Sequence, residues 1–110
     1  MWNLWLDDQC RELLDENVPG VFVRPIPRGY IGCASTDEAI AMVEELGPPE
    51  FMDLDHDLGG DDNAMKFLRW LSDNHFHSIP DYCVHSRNPV GKENIISFMD
   101  TWERIYSSGN

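Results

Sequence analysis

The sequence predicts an α/β domain, a parallel β-sheet with helices on both faces. Three observations carry that prediction. Apolar segments of strand and helix character alternate in the order β-α-β-α-β-α-β-α, the pattern of parallel strands joined by helical crossovers. One of the helices carries its own start and stop signals. The most polar strand ends in the chain are the carboxyl ends, where an open parallel sheet places its ligand site. The 110 residues fit a single domain over 1–110.

The elements follow in order. "WNLWL" (2–6) is short and aromatic-rich and runs into Asp7 and Asp8, which reads as the first strand. "CRELLDEN" (10–17) reads as a short helix closed by "VPG". Residues 18–30 carry Pro19, Pro25 and Pro27, the mark of an irregular loop. Arg24 and Arg28 flank that loop and are read as solvated rather than as reaching over a site. "YIGCA" (30–34) is the second strand, weakened by Gly32. "STDEAIAMVEELGPP" is the clearest helix: Ser35 and Glu38 form a capping box, Ala39, Met42 and Val43 form a stripe, and Gly47 stops it. "EFMDLD" (50–55) is the third strand. Residues 61–75 form a helix with Ala64, Phe67, Leu68 and Leu71 on one face and Asp61 and Asp62 at its positive end. "DYCVHS" (81–86) is the fourth strand. Residues 91–106 form the last helix, with Ile95, Phe98, Met99 and Trp102 on its apolar side. Trp2, Trp5, Trp70 and Trp102 are assigned to core or interface, and His75 and His77 to the surface.

Composition removes several function classes. Hydrophobic residues make up 42%, too many for a disordered chain even with a net charge of −12. That charge argues against a nucleic-acid duplex or an anionic membrane as partner, because both need a basic face. No apolar run approaches the ~20 residues of a membrane span, and "MWNLWLDD" lacks the basic start of a signal peptide. Cys10, Cys33 and Cys83 have no metal or redox spacing and read as reduced, mostly buried thiols of a cytoplasmic protein.

The stretch "FMDLDHDLGGDDN" (51–63) holds five aspartates, and their spacing first suggests a calcium loop. An EF-hand needs Gly at position six and Glu at position twelve. Counted from Asp53 these are Leu58 and Ala64; counted from Asp55 they are Gly60 and Lys66, so neither register supplies the Glu. A magnesium site suits the residues better. Mg2+ takes a few carboxylates and completes its shell with water and phosphate oxygens; Asp7, Asp8 and Asp55, at adjacent strand ends, supply the carboxylates, and Mn2+ is the second choice. Asp8 also suits a cap for a helix beginning near Gln9. Asp53 should point to the same side as Asp55, deeper along the strand, either as a supporting acceptor or simply facing a polar helix, and not as a direct ligand.

"LWLDD", "LDHDLGGD" and "VHSRNPVGKEN" together resemble the motifs of the cyclic-phosphate-processing receiver domains, a branch of the receiver fold found in bacteria and phages. The resemblance covers most of the chain and is weakest over 9–30. It implies a three-layer, receiver-like (flavodoxin-like) fold with about four parallel strands in the order 2-1-3-4. It implies that Asp7 and Asp8 hold the metal, that Asp55 matches the phosphoacceptor, and that Ser86 contacts the phosphoryl group. One feature departs from it: only 22 residues follow Asn88, reading as one helix, so the fifth strand and its lysine have no clear counterpart. Lys92 is either a replacement for that lysine or a surface residue.

Cleaving a cyclic phosphodiester requires a polarising metal, an activated nucleophile or water, and a proton donor for the leaving oxygen. Asp55 fits the nucleophile or water-holder, His56 (paired with Asp57) or His85 the acid, and Arg87, Asn88 and Lys92 the phosphate contacts. Either histidine also has an ordinary structural reading. The start of the last helix, "PVGKEN", offers backbone N–H groups to a phosphate or is simply capped. The leading expectation is a metal-dependent phosphoesterase-like domain acting on a small phosphorylated or cyclic-phosphate nucleotide or RNA-end product, with a homodimer allowed. Two rivals stand beside it: a signalling module phosphorylated on Asp55, and a non-catalytic protein that binds a nucleotide or another protein.

Overall fold

The computed structural model describes residues 1–8, 10–11 and 24–108. Its main sheet has four parallel strands: β1 (Asn3–Leu6), β4 (Tyr30–Cys33), β5 (Phe51–Leu54) and β6 (Asp81–Val84), in the spatial order β4-β1-β5-β6. That is the expected 2-1-3-4 order of the four long strands. A separate parallel pair joins β2 (Cys10–Arg11) to β3 (Arg24–Pro25). The sequence places Cys10 and Arg11 in a helix; here they pair with the proline-rich segment instead. The remainder of the helix expected at 10–17 lies outside the described residues.

Among the described residues three helices follow strands: α1 (Thr36–Leu46), α2 (Ala64–Asn74) and α3 (Pro89–Ser108). The crossovers through α1 and α2 run in the same direction across the sheet, so the right-handed rule puts both helices on one face. Leu4, Leu6, Met52 and Leu54 point into that face. They meet Ala39 and Val43 of α1, Phe67, Leu68 and Leu71 of α2, and Ile95 and Met99 of α3 in one buried cluster. The strands alternate, so the opposite face carries Trp5, Phe51 and Asp53, all half-buried, together with the exposed Asp81 and Cys83. Among the described residues all three helices belong to the first face.

Local chemistry sets the helix boundaries. Ser35 is the N-cap of α1 and accepts from the Glu38 N–H at 3.2 Å, while Gly47 closes the helix with φ 83° and donates its N–H to the Val43 carbonyl at 2.7 Å. The start of α2 differs from expectation. Its N-cap is Asn63, whose side chain accepts from the Lys66 N–H, so the helix opens three residues later than the acidic pair suggests. Asp62 turns instead to α1. Its carboxylate accepts from the Thr36 N–H at 2.8 Å and from the Thr36 hydroxyl at 2.6 Å, across 26 residues of sequence. An acid read as favouring its own helix thus caps a neighbouring one. Asp62→Ala leaves the helix-terminal N–H without its acceptor and the buried Thr36 hydroxyl with only the more distant Asn63 carbonyl, at 3.3 Å. The expected cost is about 2 kcal/mol, measured as a drop of roughly 10 °C in melting temperature.

Other expectations resolve here too. Trp2 and Trp102 are buried, and their indole N–H groups donate to the carbonyls of Gly47 (2.8 Å) and Phe76 (3.0 Å). His77 is exposed; His75 is half-buried at the end of α2, close to the Trp70 ring. Cys33 is buried as expected, but Cys83 is exposed, because β6 is an edge strand and residue 83 faces away from the helices. Local burial and contact with Asp53 push the Cys83 thiol up to about 11, so it is an unreactive thiol near neutral pH. Among the described residues no helix is long and apolar enough to cross a membrane.

Candidate functional site

The sheet ladder continues one residue beyond three strand ends, and those three residues form the site. Asp7 donates its N–H to the Cys33 carbonyl (3.1 Å), Asp55 to Leu6 (2.8 Å) and His85 to Leu54 (3.0 Å). Each residue is therefore fixed by the last residue of the adjacent strand. Leu6 pairs with Leu54, and Leu54 with Val84, so Asp7, Asp55 and His85 occupy one row across β1, β5 and β6. Neighbouring strands lie about 4.8 Å apart. Across these strands, one ligand-type atom from each of the three side chains lies within 4.8 Å of the others.

The row beneath supports this one. Asp53 Oδ1 is 2.5 Å from His85 Nδ1, and Asp7 Oδ2 is 3.2 Å from His85 Nε2. The imidazole is thus held at both nitrogens by carboxylates that only accept. Trp5 stacks on it with ring centroids 4.4 Å apart and planes 5° from parallel. Asp7 is fully buried, while Asp55 and His85 are half-buried and open toward solvent. Burial raises the Asp55 carboxyl above its usual range, and the charges of Asp7 and Asp8 add to the rise; His85 and the Asp57 backbone N–H oppose it.

The other expected residues divide into two sets. Asp8 is exposed and acts on Asp55 through space, but it is not one of the three converging groups. His56 and Asp57 form their own pair, Nδ1 to Oδ1 at 3.0 Å, with His56 largely buried and Asp57 exposed. The Asn88 side-chain N–H reaches Asp57 at 3.5 Å, a weak contact. Its carbonyl oxygen accepts the Gly91 N–H at 3.1 Å, and its backbone carbonyl accepts the Lys92 N–H at 2.9 Å. The first turn of α3 is therefore capped by Asn88, with Pro89 in the position a helix start favours. Two of the N–H groups that "PVGKEN" offers to a phosphate are used in this way. Ser86 Oγ accepts the Asn88 N–H at 3.1 Å, and Arg87 and Lys92 are exposed.

Gly91 has a specific reason to be glycine. A Cβ there would stand 2.4 Å from His56 Cγ and 2.8 Å from His56 Cβ. The helix start thus presses directly on the His56 ring. Gly91→Ala is expected to cost about 1–3 kcal/mol and to break the His56–Asp57 contact. Thermal melting and the NMR shifts of the His56 ring check this; unchanged shifts would show that the ring is not so confined.

Sequence reasoning named all three converging residues but grouped them differently, with Asp8 in the metal set and His85 among the acids. It took Asp53 as a supporting acceptor without naming its partner. Strand alternation holds the missing signal: residues 5 and 7, 53 and 55, and 83 and 85 share one face of adjacent strands.

A parallel α/β sheet in this order, with acids at the ends of its two central strands, defines a receiver-like domain. The model of the cyclic-phosphate processing receiver domain matches residues 2–101, and the chain belongs to that family. Comparison with curated proteins and with solved structures gives no match.

Proposed function

We propose that this domain is a divalent-metal-dependent phosphoesterase acting on a small phosphorylated or cyclic-phosphate molecule. The observation that supports it most is the single row of Asp7, Asp55 and His85 at the strand ends, where burial first and the charge of Asp7 second raise the Asp55 carboxyl. The donors fit a divalent cation: two carboxylates and an imidazole nitrogen converge from rigid strand ends. Bound there, the ion would offset phosphate charge and polarise the phosphorus centre.

The chain's own residues supply the rest. Asp55, half-buried in the centre of the row, is the nucleophile or the acceptor that orients a water. The His56–Asp57 pair lies directly after it and fits a proton donor for the leaving oxygen, with Asp57 orienting the ring. Ser86 and the exposed Arg87 directly follow His85, Lys92 lies in the first turn of α3, and all three suit contacts to phosphate oxygens. The acidic surface disfavours duplex nucleic acid and leaves a small ligand as the fitting substrate.

The test is a screen of 2′,3′-cyclic nucleotides, other cyclic-phosphate ends and phosphomonoesters with Mg2+ and with Mn2+, using Asp55→Asn as control. Hydrolysis by the wild type that is lost in the variant supports the proposal. Absence of hydrolysis across the panel, or equal activity of the variant, rejects it. A phosphoprotein that persists after treatment with a small phosphodonor would favour the signalling reading instead.

A further inference from the structure

We infer that His85 is a direct metal ligand through Nε2, with Asp53 as its orienting residue, and that the site therefore selects a first-row transition dication over Mg2+. The inference rests on the metal site proposed above and concerns which ion it holds and by which atoms.

The argument begins with hydrogen-bond capacity. Asp53 and Asp7 stand at the two nitrogens of one imidazole, at 2.5 and 3.2 Å. A carboxylate accepts and does not donate. The shorter contact assigns the Nδ1 hydrogen to Asp53. Nε2 then faces Asp7, with Asp55 in the same converging group, and two acceptors in contact require something between them: a ring hydrogen, a carboxyl hydrogen or a cation. A ring with Nδ1–H on one carboxylate and Nε2 turned to another has the carboxylate–histidine–metal geometry, in which the outer acid fixes tautomer and orientation. Trp5, stacked 4.4 Å away and nearly parallel, prevents the ring from turning out of that plane.

The donor set then bears on the metal. Mg2+ prefers an all-oxygen shell and keeps most of its waters. Imidazole nitrogen favours first-row transition ions, and carboxylates accept Mn2+ readily. Two carboxylates and one imidazole on strand ends, with the imidazole already oriented, suit Mn2+ or Co2+ better than Mg2+. Asp8, the second acid of the expected magnesium pair, is exposed and outside the converging group, which leaves the third protein position to His85.

The competing account is that His85 is only a positively charged brace between Asp53 and Asp7. Both accounts predict that replacing His85 perturbs the site, so the test must detect the nitrogen itself. Mn2+ and Mg2+ binding are measured by calorimetry for the wild type, His85→Asn and Asp53→Asn. Pulsed electron paramagnetic resonance of the Mn2+-loaded wild type reports any directly bound 14N. Expected are a directly coordinated imidazole nitrogen in the wild type and at least about tenfold tighter Mn2+ than Mg2+ binding. In His85→Asn the nitrogen coupling disappears and the Mn2+ preference collapses, with Mg2+ affinity changed by less than about threefold. Asp53→Asn keeps the nitrogen but weakens Mn2+ by about 10- to 100-fold, the usual effect of losing an outer-shell acid. Mn2+ bound without nitrogen coupling, or an unchanged Mn2+/Mg2+ ratio in His85→Asn, overturns the inference and leaves the proposed metal site intact. If neither ion binds the folded wild type, the proposed metal site and this inference fail together. The wild-type nitrogen signal decides the matter even if His85→Asn does not fold.

Discussion

Asp55→Asn is expected to abolish phosphoester hydrolysis and, in the same protein, to raise the melting temperature of the metal-free form at neutral pH. The two effects have one source. Asp55 is half-buried between Asp7 and His85, and burial together with the Asp7 charge raises its carboxyl above the ordinary value of 3.8. Below that value the group is protonated in both folded and unfolded chains and costs nothing. As pH rises past it, the unfolded chain releases the proton while the folded chain retains it, and folding loses stability until the folded group also ionises. Above that point the loss is constant. Asparagine removes it. The stability gap between variant and wild type is therefore near zero at pH 3, opens through the window above 3.8, and persists at pH 7. Loss of a group that handles the reacting water or phosphate costs about 10²- to 10⁴-fold in rate. Thermal melts across pH and an assay on whichever substrate the screen yields measure both. A variant that is less stable than the wild type at pH 7 would contradict the electrostatic account of Asp55.

Adding the metal should reverse that order. A ligand present at a hundred times its dissociation constant stabilises the folded state by about 2.7 kcal/mol. For a domain of this size that corresponds to a rise on the order of 10 °C in melting temperature. The wild type is expected to show this rise, while Asp7→Asn and Asp55→Asn show little of it, because each loses one of the converging donors. Addition of a chelator should restore the metal-free values. If Asp55→Asn gained as much as the wild type, Asp55 would not be a ligand, and the raised carboxyl would need another explanation.

The parts of the molecule that were legible in the sequence are those determined within a few residues. The capping box of α1 is complete within residues 35–38, and the structure reproduces it. Strand positions followed from short apolar runs, and the polar residues directly after them marked the site. The errors come from interactions across long sequence separations. Asp62 reads locally as an aid to α2, yet its partner Thr36 is 26 residues away and becomes a neighbour only when α1 and α2 pack together. The carboxylate partners of His85 are equally hidden, because its neighbours in sequence say nothing about Asp53, 32 residues earlier, or Asp7, 78 residues earlier. Strand register brings these three together, and register depends on how whole strands pair rather than on the residues next to His85. Gly91 appears as an ordinary helix glycine until the position of the His56 ring is known.

The stacking of Trp5 on His85 makes the site optically readable. An indole lying flat against an imidazole senses any change in that ring's charge through its emission. Trp2, Trp70 and Trp102 supply a steady background, since two are hydrogen-bonded in the core and Trp70 packs against Phe67 at the far side of the helical layer. The domain thus contains a native fluorophore seated on its proposed metal-binding ring. Occupancy can be followed in unlabelled protein by light, before any substrate has been identified.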